Sequence, residues 1–178
     1  MASGGLKIDL VKIDQKRVKD ASDIYFHWKD LDAEIRTLGT RGINFPSDIS
    51  ELFACYVLGY SWNKGSSGDA IDTKKGNRVI EIKASSNASD LSSFSPDENF
   101  DELVFCELDR KNDKLLVYET GYSRSDIEGV MVNNTETFKQ QADAKRRPRF
   151  SVKSKIIKAS GLKPSYEFDI RTCKKKKI

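Results

Sequence analysis

The sequence predicts a mixed α/β fold, with a central β-sheet flanked by helices. Three observations predict it. The first two are that apolar residues recur at helical spacing in the first third of the chain and at strand spacing from about residue 68 onward. The third is size, because 178 residues with 38 % hydrophobic content suit one domain. The chain shows no internal repeat and no long linker, so we expect residues 1–178 to form a single domain.

The first third of the chain predicts two helices. Residues 15–38 place apolar side chains three to four residues apart, which gives a helix with one apolar face. A second helix begins with Ser47 or Asp48 as its N-cap and runs to about Tyr60. Residues 1–5 are expected to form a disordered or tag-like N-terminus.

The rest of the chain predicts five strands. The first two are joined by a hairpin turn, and the third is almost continuously apolar, which is typical of a buried central strand. A polar loop over residues 84–99 follows the second strand, and polar helices near 125–131 and 135–144 precede the last one. The predicted strands are 68–72, 78–83, 103–108, 114–119 and 166–170.

The net charge of +4 is distributed unevenly. Residues 145–178 contain 13 basic and two acidic residues, whereas the rest of the chain has an excess of acids. A strongly basic segment on an acidic body indicates a nucleic-acid partner. Residues 145–153 mix arginines with Phe150 and lead into an apolar pattern, so we expect them to be folded. Residues 174–177, four lysines, are expected to be a solvated tail.

Several function classes are excluded. The cysteines Cys55, Cys106 and Cys173 lie far apart and His27 is the single histidine, so neither a zinc finger nor a disulfide framework is expected. Serine–histidine–aspartate chemistry would depend on His27 alone, in a helical and aromatic setting. No apolar stretch approaches the ~20 residues of a membrane span, and the first residues lack the features of a secretion signal. We therefore expect a cytoplasmic protein.

One group of residues points to chemistry. Glu81 and Lys83 stand two apart on a predicted strand, so both side chains leave the same face. The hairpin brings Asp69 or Asp72 alongside them. Two carboxylates can hold Mg²⁺, and a lysine can orient or deprotonate a water or hold a phosphate oxygen, which together suit phosphodiester hydrolysis. The alternative is an exposed strand face with one Glu–Lys pair worth ~0–1 kcal/mol.

The run GDAID at 68–72, followed by EIK at 81–83, resembles the active-site motif of the PD-(D/E)XK nuclease superfamily. The resemblance covers about residues 45–120, the expected catalytic core, and implies a restriction-endonuclease-like αβββαβ order. Within the superfamily the chain is most similar to small type II restriction endonucleases of the PvuII kind. Residues 44–51 also resemble the short Bsp-type enzymes that cut GCNGC. Gly68 replaces the usual proline, which leaves the choice of the first acid open.

The resemblance also implies a role for each residue. The implied Mg²⁺ ligands and catalytic groups are Asp69, Glu81, the backbone carbonyl of Ile82, and Lys83. We prefer Asp69 to Asp72 as the first ligand because it heads the matching Asp-Ala-x-Asp run. Lys83 would act as the base or as the electrostatic partner of the attacking water. Glu51 is a further candidate ligand, although Asp48-x-x-Glu51 is also a good helix capping box.

Candidate DNA contacts lie in the basic segment at residues 145–178. They are Arg147, Arg149, Ser151 and Lys153. Arginine pairs well with the O6 and N7 atoms of guanine, so either arginine could read a base edge. The alternative is that both only neutralise phosphates.

The implied function is a Mg²⁺-dependent type II restriction endonuclease that cuts double-stranded DNA at a short palindromic site, with GCNGC as the candidate. Cutting both strands calls for a homodimer, and we expect residues 15–38 to supply the interface with Tyr25 or Trp28 near its centre. A cognate DNA methyltransferase would be its functional partner. Two alternatives stay open: a structure- or lesion-specific nuclease such as a resolvase or repair enzyme, and a non-catalytic nucleic-acid-binding protein.

Overall fold

The computed structural model describes residues 8–39, 41–65, 68–87 and 91–178. The N-terminus expected at residues 1–5 lies outside the described residues. The helices are α1 (Gln15–Leu38), α2 (Ser47–Leu58) and α3 (Phe138–Asp143), with a short π-helix at Lys153–Lys158. The strands are β1 (Leu10–Lys12), β2 (Ser61–Asn63), β3 (Ala70–Asp72), β4 (Arg78–Ser85), β5 (Ser92–Ser93), β6 (Glu102–Asp109), β7 (Lys114–Glu119), β8 (Arg149–Phe150), β9 (Tyr166–Asp169) and β10 (Lys174–Lys177).

Eight strands form one mixed sheet in the order β1-β2-β3-β4-β6-β7-β9-β10. Strands β4 and β6 run parallel, and every other neighbouring pair is antiparallel. The predicted mixed α/β class is therefore confirmed. The connection from β4 to β6 contains β5, which pairs with β8 in a separate two-stranded ribbon. The described part of this connection contains no helix, in contrast to the second helix of the αβββαβ order.

The sheet is buried on both faces, which explains the almost continuous apolar sequence of β6. Helices α1 and α2 cover one face, where alternate residues such as Ile80, Ile82 and Val104 meet Tyr25 and Phe53. A second cluster covers the other face. It contains Phe94, Phe100, Leu103, Phe105, Tyr118, Ile127, Phe138, Phe150, Val152, Ile156 and Ile157. The side chains of β4 at even and odd positions therefore face two different cores.

The aromatic face of α1 lies inside the subunit. Tyr25 is fully buried and Trp28 is 6 % exposed, and both pack in the core under the sheet. The Tyr25 hydroxyl donates to Asp113 Oδ1 at 2.9 Å, and Trp28 Nε1 donates to the carbonyl of Asn44 at 3.1 Å. The expectation that Tyr25 or Trp28 centres a dimer interface was wrong, because both rings are buried in the core of their own chain and their polar atoms donate hydrogen bonds within it.

Four short segments differ from the sequence-based expectations. The helix expected near 125–131 is a series of turns, and the helix expected at 135–144 is confined to α3. Helix α2 ends at Leu58, because Gly59 takes a left-handed conformation with φ of 75°. Residues 174–177 are not a solvated tail but the edge strand β10. They pair with β9, and Lys175 Nζ donates to the carbonyls of Tyr56 and Val57 at the end of α2, at 2.9 Å each.

The three cysteines are free and buried. Among the described residues, no helix combines the length and the apolar character that crossing a membrane requires.

Candidate active site

Strand β4 carries the centre of the site. Glu81 and Lys83 leave the face of β4 opposite to Ile80 and Ile82, as their spacing predicts. The Glu81 side chain is 1 % exposed and forms an ion pair with Lys83, which is 20 % exposed. Lys83 Nζ also lies 5.2 Å from the centroid of the Phe94 ring. Both carboxylate oxygens of Glu81 are buried, and no described residue gives them a well-formed hydrogen bond.

Asp69 joins this pair from the neighbouring strand. Ala70 pairs with Ile80 in antiparallel register, which places Asp69 opposite Glu81. The Asp69 N–H donates to the carbonyl of Ile80 at 3.0 Å, and Asp69 Oδ2 accepts from the N–H of Ile82 at 2.7 Å. The backbone of β4 therefore holds both the main chain and the side chain of this aspartate.

Gly68 has a local reason to replace proline before the acid. Its φ is +69°, in the left-handed region, and a Cβ atom there would lie 2.4 Å from Val79 Cγ1. Proline has a fixed φ near −65° and cannot adopt this conformation. The close approach to β4 places the following aspartate against the strand.

Asp72 lies away from the other acids. It pairs with Arg78 at the far end of the β3–β4 hairpin, and its Oδ1 atom accepts from the N–H of Lys74 at 3.0 Å in the turn. Because Asp69 and Asp72 are three residues apart on an extended chain, their side chains leave opposite faces. The geometry favours Asp69 as the partner of Glu81.

Glu51 does not form the capping box that its spacing from Asp48 allows. The N-cap of α2 is Pro46, without a side-chain hydrogen bond. Glu51 Oε2 instead accepts from Trp62 Nε1 at 2.9 Å. Glu51, Asp48 and Asp69 line one cleft of about 370 Å³ together with Trp62. Trp62 was not predicted as part of the site, and its position seven residues before Asp69 is the sequence signal that could have drawn attention to it.

Burial and mutual repulsion hold the acids toward their protonated forms. Burial raises the pKa of Glu81 from 4.5 to about 8, and repulsion from the Asp69 carboxylate is the second largest cause of this shift. Burial also raises the pKa of Glu51 to about 7, and repulsion from Asp69 is again the second largest cause. Burial also raises the pKa of Asp69, although Lys83 and the Ile82 N–H oppose the shift. Burial lowers the pKa of Lys83, but Glu81 and Asp69 outweigh it and the net shift is upward, so this lysine is charged at neutral pH.

The donor set fits a hard divalent cation. The buried Glu81 carboxylate lies next to Asp69, and its ion-pair partner among the described residues is Lys83; neither of its oxygens has a well-formed hydrogen bond. Mg²⁺ takes oxygen ligands, and one or two carboxylates suffice because the ion keeps several of its waters. In the described part of the chain, no three His, Cys, Asp or Glu side chains form a ready metal cage.

The four candidate DNA contacts fall into two groups. Arg147 and Arg149 are exposed, and no salt bridge to either occurs among the described residues. Ser151 Oγ accepts from the N–H of Ser154 at 3.2 Å at the start of the π-helix, while Lys153 forms a salt bridge with Glu107 on β6. The arginines are available to a ligand, whereas Ser151 and Lys153 already have structural partners.

The β5–β8 ribbon brings the basic segment toward the acids. Ser93 on β5 pairs with Arg149 on β8, and the N–H of Phe94 donates to the carbonyl of Pro148 at 3.0 Å. Phe94 is the residue whose ring lies against Lys83. The basic segment is thus connected to Lys83 on β4 through Phe94, a contact that the polar loop sequence did not predict.

A mixed sheet with a buried glutamate and a lysine on β4, Asp69 beside them and a basic segment nearby suits a nuclease, and the comparisons specify its class. A family model described as "Bsp6I restriction endonuclease" matches residues 13–159. The chain is also 45 % identical over 167 residues to the type II restriction enzyme Bsp6I of Bacillus sp. (strain RFL6), covering 93 % of this chain and 95 % of that enzyme. No solved structure matches the chain.

The chain therefore belongs to the Bsp6I restriction endonuclease family. It is a type II restriction enzyme, a deoxyribonuclease that cleaves DNA at a specific site. Of the three functions that the sequence left open, the comparisons support this one.

Proposed function

We propose that this restriction enzyme uses Mg²⁺ held by Asp69, Glu81 and the backbone carbonyl of Ile82, with Glu51 as a further ligand. The observation that carries the proposal is the Glu81 carboxylate, which lies beside Asp69 and is buried with Lys83 as its ion-pair partner but without a well-formed hydrogen bond from a described residue. Ionised in that position it has an unfavourable free energy unless a cation joins it. Bound Mg²⁺ would supply Lewis acidity and positive charge at the scissile phosphate.

Lys83 and Asp69 would then have separate roles at the site. Lys83 is charged, so it acts as a hydrogen-bond donor that orients the attacking water and neutralises a phosphate oxygen, rather than as a general base. Asp69 is held by the N–H of Ile82 and keeps one carboxylate oxygen for the cation. Asp72, engaged in the hairpin turn, takes no part.

Arg147 and Arg149 are the proposed DNA contacts of the basic segment. Their exposure and the tie from β8 to Phe94 support this role. If one of these arginines contacts a base edge, replacing it with alanine should weaken binding by about 1–3 kcal/mol and relax discrimination at one position of the site. A contact to phosphate alone predicts an even loss across sequences and a salt slope smaller by about one. Ser151 and Lys153 are proposed to shape the segment through Ser154 and Glu107.

A homodimer remains part of the proposal, with a different surface of α1 at its centre. Ile24, Leu31 and Leu38 are 50 %, 48 % and 90 % exposed and follow one another at intervals of seven residues. This spacing places them along one line of the helix. Two copies of the stripe related by a two-fold axis would cover both and place two active sites on the two DNA strands.

The target and its setting complete the proposal. We propose GCNGC as the site, on the strength of the family and of residues 44–51. A cognate methyltransferase would protect the same sites in the host, and both enzymes would act in the cytoplasm.

Digestion of a plasmid with known GCNGC positions tests the proposal. With Mg²⁺ we expect discrete fragments whose ends, read by run-off sequencing, all fall within GCNGC. With a chelator we expect none. Ends within another sequence would overturn the proposed target, and equal cleavage in the chelator would overturn the metal requirement.

A further inference from the structure

A groove of about 460 Å³ lies beyond the acidic cluster, between the C-terminal end of α1, residues 41–45 and the end of β4. Three arginines line it: Arg36, Arg41 and Arg110. The other lining residues include Asn44, Ser86 and Asn87, and none is acidic. The groove is therefore positively charged and polar, although the basic segment of residues 145–178 contributes nothing to it.

Two of the arginines are held in place by one buried carboxylate. Asp32 on α1 is fully buried, and its Oδ2 atom accepts from Arg36 Nε at 2.9 Å and forms a salt bridge with Arg110. Its Oδ1 atom accepts from the N–H of Ile43 at 2.6 Å. Asp32 thus joins α1, the loop at residues 41–45 and the β6–β7 hairpin.

The loop at residues 41–45 packs closely against the Asp32 carboxylate. A Cβ atom at Gly42 would lie 1.9 Å from Asp32 Oδ1, so only glycine allows the backbone to pass. Arg110 is fixed a second time, because its guanidinium lies 4.9 Å from the centroid of the Trp28 ring. Both guanidinium groups are therefore oriented before any ligand arrives.

The charges are not cancelled within the groove. Each guanidinium carries five N–H donors, and the contacts with Asp32 use only part of them on Arg36 and Arg110. Arg41 is exposed and forms no salt bridge among the described residues. Three positive groups against one carboxylate leave an excess that suits an anion, and a fork of fixed donors matches the oxygens of a phosphate.

The groove lies next to the catalytic strand. Ala84, Ser86 and Asn87 line it and come directly after Lys83 in the chain. The same connection continues to β5, which pairs with β8 and Arg149. The arginine groove and the basic segment are therefore both anchored to the connection that leaves the C-terminal end of β4.

We propose that the groove of Arg36, Arg41 and Arg110 binds a backbone phosphate of the DNA substrate, separately from the basic segment at residues 145–178. The proposal rests on the proposed position of the active site on β4. A duplex cleaved beside Lys83 would extend over the residues that follow Lys83 in the chain, and these residues line the groove. The contact is independent of sequence and fixes the duplex relative to the catalytic residues.

Binding without divalent metal tests the groove. The variants are Arg41→Ala, which removes a charge without breaking a described salt bridge, and Arg41→Ala/Arg110→Gln, whose fold is checked by thermal unfolding. The control is Lys75→Ala, which removes the same charge from the turn at the other end of β4, about 25 Å away along eight strand residues. Fluorescence anisotropy is recorded over a series of salt concentrations on two duplexes, one containing GCNGC and one without it.

For Arg41→Ala we expect roughly tenfold weaker binding to both duplexes and a salt slope smaller by about one. The double variant is expected to bind more weakly still, and Lys75→Ala should bind like the wild type. Unchanged binding by both groove variants would overturn the proposal, and so would a loss confined to the GCNGC duplex, which would indicate base reading. Failure of the proposed active site would appear separately, as cleavage that persists in the Glu81 variant described below.

Discussion

Replacing Glu81 with glutamine should make the metal-free protein more stable at pH 8. The folded-state pKa of Glu81 is about 8, against 4.5 for an ordinary glutamate. At about 1.4 kcal/mol per pKa unit, ionising this carboxylate at pH 8 disfavours the folded state by at most about 4 kcal/mol. Glutamine does not ionise and so avoids this cost, but it loses the ion pair with Lys83. We therefore expect the free energy of unfolding to increase by about 1–3 kcal/mol.

The sign of the pH dependence follows from the direction of the shift. An acid whose pKa is raised by folding stabilises the folded state only in its protonated form, so that stability is complete below about pH 4.5 and is lost as the pH rises to about 8. The variant and the wild type should therefore unfold alike near pH 4.5 and diverge toward pH 8. Urea unfolding with a chelator present measures both free energies.

The matched control is Glu167→Gln on β9. Glu167 also pairs with a lysine, Lys114, at 2.7 Å, but its side chain is 32 % exposed. We expect this variant to be equal to the wild type or slightly less stable at both pH values. Adding Mg²⁺ at pH 8 should stabilise the wild type more than Glu81→Gln. A Glu81→Gln protein that is less stable than the wild type at pH 8 would refute the reasoning, because the buried pair would then be stabilising on balance.

Three further predictions concern the metal, the dimer and the C-terminal strand. Ca²⁺ should support specific DNA binding without efficient hydrolysis, because its looser coordination positions the reacting groups poorly; brisk cleavage in Ca²⁺ alone would contradict the site. Leu31→Glu should give monomers in sedimentation experiments that nick DNA or fail to cut it, and a dimer that persists would place the interface elsewhere. Removing residues 174–178 should lower the melting temperature, since β9 loses one of its two neighbouring strands and α2 loses the Lys175 bonds; an unchanged melting temperature would show that β10 adds nothing.

The central strands were predictable because their sequence alternates or is continuously apolar. Strands β4, β6 and β7 lie where these patterns place them, and α1 spans the predicted residues 15–38, although Ile24, Leu31 and Leu38 of its apolar pattern are exposed. The short edge strands were not predictable. Strand β10 consists of lysines without any alternation, and it pairs because β9 offers an open edge. Its sequence alone resembles a solvated tail.

The acids and the lysine of the site were predictable for a similar reason. Glu81 and Lys83 share a face through strand geometry, and a tight hairpin fixes the position of Asp69. The arginine groove was not predictable, because Arg36 and Arg110 are 74 positions apart and meet through the buried Asp32. A contact of this range depends on how α1 packs under the sheet, which local patterns do not encode.

The cleavage rate of a GCNGC plasmid in Mg²⁺ tests the central claim, that Asp69, Glu81 and Lys83 form the active site. For Asp69→Asn, Glu81→Gln and Lys83→Met we predict a loss of roughly 10²–10⁴-fold or more, with folding retained and DNA bound at near wild-type affinity. Glu167→Gln, the same substitution outside the site, should cut at the wild-type rate. A Glu81→Gln enzyme that cuts within tenfold of the wild type would contradict the assignment.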